Sequence, residues 1–281
     1  MDTPTNQNEN VQEWHKAFRA SFCEKPMQQA ANLASHCFAD KIEDKAFRLA
    51  CIGCSDVPHI DRIRELGAVT FVESTEEKAA AVRAACPNSE VVASNMCSLP
   101  FDDQFDLVIS CDAFHDVVEQ LALLRSVAKS LRPSGLLVVE MGAAGNIAQL
   151  EQAFTCAMRQ HSGDYSCQFV FPKEKPYQTL LKIAGFEVLS METHECAIPL
   201  PGGERGLRMF ARAYFPKVFA LYRPQDAEKI LDSFEQSAQN ALWDDKGAHW
   251  IADCKRLQFT ARLNNKSGGA SGASALAALG M

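Results

Sequence analysis

The chain has 281 residues, of which 47% are hydrophobic and 22% charged, the balance of a globular protein with a substantial core. A formal net charge of -7 without any basic stripe argues against a nucleic-acid surface, because phosphate-binding faces concentrate Lys and Arg. No apolar run reaches membrane-spanning length, and eleven cysteines without an export signal predict a reducing, cytoplasmic setting in which most are small buried residues.

Along the chain, a polar lead precedes VQEWHKAFRASF and MQQAANLASHCF, whose apolar positions recur at helical spacing. Two short helices are expected there, within residues 1–46, capping a pocket. From Phe47 the pattern changes to short apolar runs alternating with amphipathic segments, the signature of βαβ units around a mostly parallel sheet. Strands are expected at FRLACIG, AVTFVE, EVVAS, FDLVIS and GLLVVEM. Ser74, with Glu77 three residues on, forms a capping-box pattern that predicts a helix directly after AVTFVE. LLRSVAKSLRPSG closes a helix with basic residues, a proline and a glycine.

Beyond Gly142 the expected elements are a helix over about 147–159, a helix at YQTLLKIAG and a strand at FEVLSMETH. The turn cluster IPLPGGERG then leads into helices LRMFARAYF and PQDAEKILDSFEQSAQNAL, inserted before a last strand, WIADCKRLQFTAR. The resulting fold class is α/β, a doubly wound, mostly parallel seven-stranded sheet within residues 47–263, with a helical cap at about 203–242. Residues 264–281, NNKSGGASGASALAALGM with its flanking Leu263 excluded, are compositionally biased and expected to be disordered.

In doubly wound folds ligands sit beyond the carboxyl ends of the strands, where the chain changes direction across the sheet. Gly53, Cys54 and Ser55 follow the first predicted strand and occupy that position. Glu73 ends the second strand about twenty residues on, the spacing at which a carboxylate accepts both hydroxyls of a ribose. The competing role for Glu73 is charge support of the following helix N-terminus. Cys51 and Cys54 form a CxxC pair that could serve redox or metal chemistry, but Cys51 lies inside an apolar strand and no second ligand pair stands elsewhere, so two small buried side chains are the better account.

These stretches in this order resemble the class I S-adenosylmethionine-dependent methyltransferases, from about Phe47 to Arg262. FRLACIGCSDVP stands where that family has its glycine-rich motif, TFVEST where it has the ribose-binding acid, and ASNMCSLPF where it has an adenine-contacting loop. FDLVISCDAFHDV and LRPSGLLVVEM complete the sheet, and VEMGAAGNI, PLPGGERGLRMF and WIADCKRLQFTAR are similar to the trans-aconitate methyltransferase-like branch. The resemblance implies S-adenosylmethionine as cofactor, with the amides of Gly53, Cys54 and Ser55 near its methionine portion and Glu73 on its ribose. It further implies Ser74, Asn95 and Met96 around the adenine, and Ser110 and Cys111 beneath the sulfonium. His115, in SCDAFHDV, would be the catalytic residue at the acceptor rim, or else a polar cap on the next helix together with Asp116.

Asn146 and Arg208 are further polar candidates for an acceptor pocket. The family's acidic residue is replaced by Cys51, and its later glycines by Ser55 and Val57, whose Cβ atoms restrict close backbone approach. The reading is methyl transfer to a small molecule with an oxygen, nitrogen or carboxylate nucleophile, involving neither metal, nucleic acid nor membrane. The alternatives are a non-catalytic relative acting as a binding or partner module, and a nicotinamide-dependent oxidoreductase. The sequence is silent on oligomeric state.

Overall fold

The computed structural model describes residues 4–53 and 64–264, and side chains from residue 11 onward within them. The first helix, α1 (Pro4–Cys37), runs through Pro26 as one element where two short helices were expected. Buried residues stand on both sides of the proline: Trp14, Phe18 and Phe22 before it, and Met27, Ala30 and Ala34 after it. Burial of these side chains on either side outweighs the one backbone hydrogen bond that Pro26 removes. A short helix, α2 (Ala39–Glu43), follows.

The sheet has the order β3-β2-β1-β4-β5-β8-β6, with β7 paired only to β8. Its first five strands are β1 (Arg48–Ile52), β2 (Ala68–Glu73), β3 (Glu90–Ala93), β4 (Phe105–Cys111) and β5 (Leu131–Gly142), and the pairings among them are parallel. The strand β4 is buried along its whole length, as its unbroken run FDLVISC requires of a strand covered on both faces. The chain runs outward from β1 to β2 and β3, then returns to the other side of β1 to form β4 and β5. The topological switch point therefore lies between β1 and β4.

Helices α3 (Glu76–Ala85) and α4 (Gln120–Ser130) connect these strands. The expected capping position is displaced by one residue. Thr75, not Ser74, precedes α3, and its hydroxyl accepts from the Lys78 amide at 3.3 Å. The RPSG segment also departs from expectation: α4 ends at Ser130, and residues 131–134 already belong to β5. A register shift between Phe105 and Leu107 and a left-handed Ser134, φ 63°, absorb the irregularity.

Further along are α5 (Ala148–Gln160), α6 (Glu174–Ile183), β6 (Phe186–Pro199), α7 (Gly206–Tyr214), α8 (Pro216–Phe219) and α9 (Pro224–Leu242). The pair β7 (Trp243–Asp244) and β8 (His249–Leu263) completes the order, antiparallel to one another. The two-residue β7 was not expected and adds an eighth strand to the seven predicted.

The chain divides into two compact units. One comprises Phe22–Ala143, Phe169–Thr193 and Leu257–Met281. Its apolar core gathers Ile52, Val72, Val108, Leu124, Val139 and Phe259. Asp106, 1% exposed, ties its amino-terminal strand ends together: its carboxylate accepts from Lys41 Nζ, from the Arg48 amide at 3.0 Å and from Arg132 at 2.8 Å. The other unit comprises Met1–Ser21, Ala144–Gln168 and His194–Arg256. Its core is aromatic, with Phe154 stacked on Phe215 at 4.3 Å and edge-on to Phe234 at 5.3 Å. Trp14 packs against Phe18 and donates from its indole to the Pro201 carbonyl.

Candidate functional site

The parallel register aligns the carboxyl ends of the strands. Ile52 lies beside Val72 and Ser110, Val72 beside Val92, and Ser110 beside Val139. One residue further, Glu73 and Ala93 pair, and Cys111 and Glu140 pair. Gly53 therefore emerges at the switch point level with Glu73 and Cys111. Backbone bonds hold this edge: Gly53 N–H to the Val72 carbonyl at 2.9 Å, Ser94 N–H to Glu73 at 2.9 Å, and Asp112 N–H to Glu140 at 2.8 Å.

Gly53 has φ 64°, and a Cβ added there would stand 2.5 Å from the Ala113 Cβ and 3.6 Å from Met96 Cε. Two independent constraints thus demand glycine: a left-handed backbone and the close approach of the loop after β4. Gly53, Met96 and the residues after Cys111 are thereby brought together from three separate loops. Glu73 is 4% exposed and sits at the end of β2. Ser74 and Asn95 are exposed. The Asn95 side-chain oxygen accepts from the Cys97 amide at 2.9 Å, so it caps the short turn Met96–Ser98. That turn is anchored in addition by Leu99 N–H on the Ser126 hydroxyl, 2.8 Å away.

Ser110 and Cys111 are fully buried, and the Ser110 hydroxyl donates to the Ile52 carbonyl at 2.9 Å. Asp112 and Ala113, which sequence reasoning did not single out, follow them at the end of β4 and are also buried. Asp112 is 7% exposed with φ 57°, a conformation that Asp and Asn tolerate better than other non-glycine residues. Cys51 is buried, as expected. Cys54, Ser55 and Val57 lie outside the described residues.

His115 is 2% exposed, in the single turn Phe114–Asp116. It does not cap the next helix, α4, whose N-terminus carries no side-chain cap. Its Nδ1 instead accepts from the Gly142 amide at 3.3 Å, and its Nε2 stands 3.7 Å from Asp112 and 3.8 Å from Asp116. The rings of Phe169 and Phe171 flank it at 5.6 and 5.5 Å. The His115 carbonyl accepts from Val170 N–H at 2.8 Å, which fixes both phenylalanines beside the imidazole. No local sequence pattern signals the contacts with Phe169, Val170 and Phe171, which bridge more than fifty residues.

Asn146 and Arg208 have structural partners. The Asn146 side chain accepts from the Lys255 amide at 2.9 Å. Arg208 on α7 donates to Glu228, Asp232 and Glu235 on α9. Burial disfavours its charge, but the hydrogen bonds and fields of Glu235 and Asp232 outweigh that and raise its pKa. Both residues join elements within one unit.

Among the described residues no group of three or more His, Cys, Asp or Glu stands arranged to hold a metal ion, and no helix is long and apolar enough to cross a membrane.

Residues 50–139 match the family described as a methyltransferase domain. That segment begins in β1 and ends in β5, so it contains Gly53, Glu73 and the end of β4, while Glu140 and Gly142 lie just beyond it. No curated protein sequence matches the chain. Among solved structures, loganic acid methyltransferase with SAH aligns with a TM-score of 0.59 at 11% identity, over 87% of this chain and 95% of its own. MccD protein aligns at 0.54 and 13% identity, over 86% and 97%. A candidate methyltransferase from Bacillus halodurans C-125 aligns at 0.53 and 15% identity, over 81% and 98%. At these identities the likeness is one of fold: a Rossmann-like, mostly parallel α/β sheet.

Proposed function

We propose that this protein transfers a methyl group from S-adenosylmethionine to a small-molecule acceptor at the carboxyl edge of β1, β2, β4 and β5. The observation that carries the proposal is the Gly53 turn. It is left-handed, closed to any Cβ by Ala113, located at the switch point, and contained in the segment that matches the methyltransferase domain. A cradle this intolerant of a side chain fits a ligand that approaches backbone amides closely.

When bound, S-adenosylmethionine supplies an electrophilic methyl group on a positively charged sulfur. The chain's own part is binding and alignment. The amides of Gly53, Cys54 and Ser55 would face the methionine portion, and the Glu73 carboxylate would accept the ribose hydroxyls. Ser74, Asn95 and Met96 would surround the adenine. Asn95 is already an acceptor for Cys97 N–H, but a carboxamide oxygen has a second lone pair available for an adenine amine. Ser110 and Cys111 would contribute backbone beneath the sulfonium, followed by Asp112 and Ala113. His115, between Phe169 and Phe171, would meet the acceptor. Holding a nucleophile in line with the methyl group does most of what such a transfer requires.

Calorimetric titration with S-adenosylmethionine and S-adenosylhomocysteine tests the proposal; absence of binding by both at millimolar concentration would remove it. A second reading, a non-catalytic binding module, draws support from the complete burial of the Ser110 and Cys111 side chains. Cofactor binding without turnover across a panel of oxygen, nitrogen and carboxylate acceptors would favour that reading.

A further inference from the structure

We propose that His115 is a fixed hydrogen-bond donor through Nε2–H, not a general base, and that Gln120 and Tyr177 are positioning residues that hold it so. The inference rests on the methyl-transfer reading for its functional meaning, and on the structure alone for its geometry.

The first observation is the Gly142 amide. An N–H directed at Nδ1 requires a lone pair there, so the neutral imidazole carries its proton on Nε2. Nε2 then points its hydrogen to the side where the Asp112 and Asp116 carboxylates lie, at 3.7 and 3.8 Å. Taking a proton from an acceptor would need a lone pair at Nε2, hence a tautomer with hydrogen on Nδ1 facing the Gly142 N–H. Two donors would then oppose each other in a site 2% exposed, where an unmade hydrogen bond is costly. His115 therefore offers a donor to a lone pair of the acceptor, orienting it without removing its proton.

The second observation is a directional network behind the imidazole. Gln120, 6% exposed, donates both amide hydrogens to carbonyls on either side of His115, that of Phe114 at 2.7 Å and that of Val117 at 2.6 Å. Its side-chain oxygen accepts from the Tyr177 hydroxyl at 2.8 Å, and Tyr177 is 1% exposed. Reversing the Gln120 amide would aim its oxygen at two carbonyls, so the network has one stable polarity. Burial also raises the Tyr177 pKa, keeping its hydroxyl a donor at all physiological pH values. The turn carrying His115 is thus pinned from both sides by groups that do not touch the imidazole.

Imidazole nitrogen–proton correlation spectra of the full-length, nitrogen-15-labelled protein test this, with His115→Gln identifying the resonances and S-adenosylhomocysteine as the ligand probe. At neutral pH His115 is expected solely as the Nε2–H tautomer, with and without the probe. An Nδ1–H tautomer or a doubly protonated ring would overturn the donor assignment. Gln120→Leu and Tyr177→Phe are expected to yield a tautomer mixture, larger for the former, with probe affinity unchanged. If both variants melt earlier yet keep the single Nε2–H form, the positioning role is refuted; should Gln120→Leu not fold, Tyr177→Phe decides. Failure of the probe to bind a chain whose His115 is Nε2–H would refute the methyl-transfer reading alone. Binding with Nδ1–H would refute this inference alone.

Discussion

Gly53→Ala is the most direct test of the cradle. The substitution meets two separate penalties. A left-handed backbone costs a residue with a Cβ roughly 1–2 kcal/mol. A new Cβ 2.5 Å from the Ala113 Cβ is far inside contact distance. Overpacking of this kind costs about 1–3 kcal/mol. The sum, about 2–5 kcal/mol, is a large share of the total stability of a folded domain, about 5–15 kcal/mol. Urea denaturation followed by circular dichroism reads the loss as a lower midpoint at unchanged slope. Ala113→Gly removes the opposing methyl group, so in the double variant only the backbone penalty should persist, giving a favourable coupling of about 1–3 kcal/mol. A Gly53→Ala loss under about 0.5 kcal/mol, the size of an ordinary surface change, or a coupling near zero, would show that neither the left-handed turn nor the Ala113 contact constrains this site.

Glu73→Ala should weaken S-adenosylhomocysteine binding about 10- to 150-fold by calorimetry, the equivalent of losing charged hydrogen bonds worth about 1.5–3 kcal/mol, and leave the fold unchanged by circular dichroism. Asp253 caps α5 from 104 residues away, accepting from Gln149 N–H at 2.7 Å, and Asp253→Ala should cost about 1 kcal/mol in urea. Burial raises the Asp253 pKa above its ordinary 3.8, against the opposing bonds from Gln149 and Leu150. The protonated acid is therefore favoured in the folded state, and its contribution to stability, complete below 3.8, is lost as pH rises through the folded value. Asp253→Asn keeps the acceptor without the charge, so its stability relative to wild type should increase across that window, measured by urea melts at successive pH values. Arg208→Lys should lower the melting temperature measurably, because a lysine cannot reproduce the paired bonds from Nε and Nη2 to Glu235 at 2.8 and 2.6 Å. Asp106→Ala should cost about 2–3 kcal/mol in denaturant, since charged hydrogen bonds are lost while Lys41 and Arg132 keep access to water.

The strands that build the site were readable because parallel strands covered on both faces must be apolar throughout, and FRLACIG, AVTFVE and FDLVIS are bounded by polar turns. Gly53 and Glu73 followed from their places at strand ends. Less readable were features in which a distant partner decides between local options. The two helices expected before residue 46 form one element through Pro26, with buried residues on both sides of it. Ser74 and Thr75 are chemically equivalent caps, and only the path of the chain out of β2 selects Thr75. Asn146 and Arg208 carry groups suited to a ligand, yet the Lys255 amide and the α9 carboxylates engage them.

Sequence by itself thus determined the α/β class, the succession of its first five strands along the chain and the places of Gly53 and Glu73 at strand ends, because hydrophobic periodicity and turn residues act over a few neighbours. Tertiary structure alone decided that Ala113 closes on Gly53, that Gly142 selects the His115 tautomer, and that Tyr177 reaches Gln120 across 57 residues. Those contacts depend on parallel register, on loops meeting at one edge of a sheet and on α4 lying beside α6, and chain-local preferences contain no term for any of them.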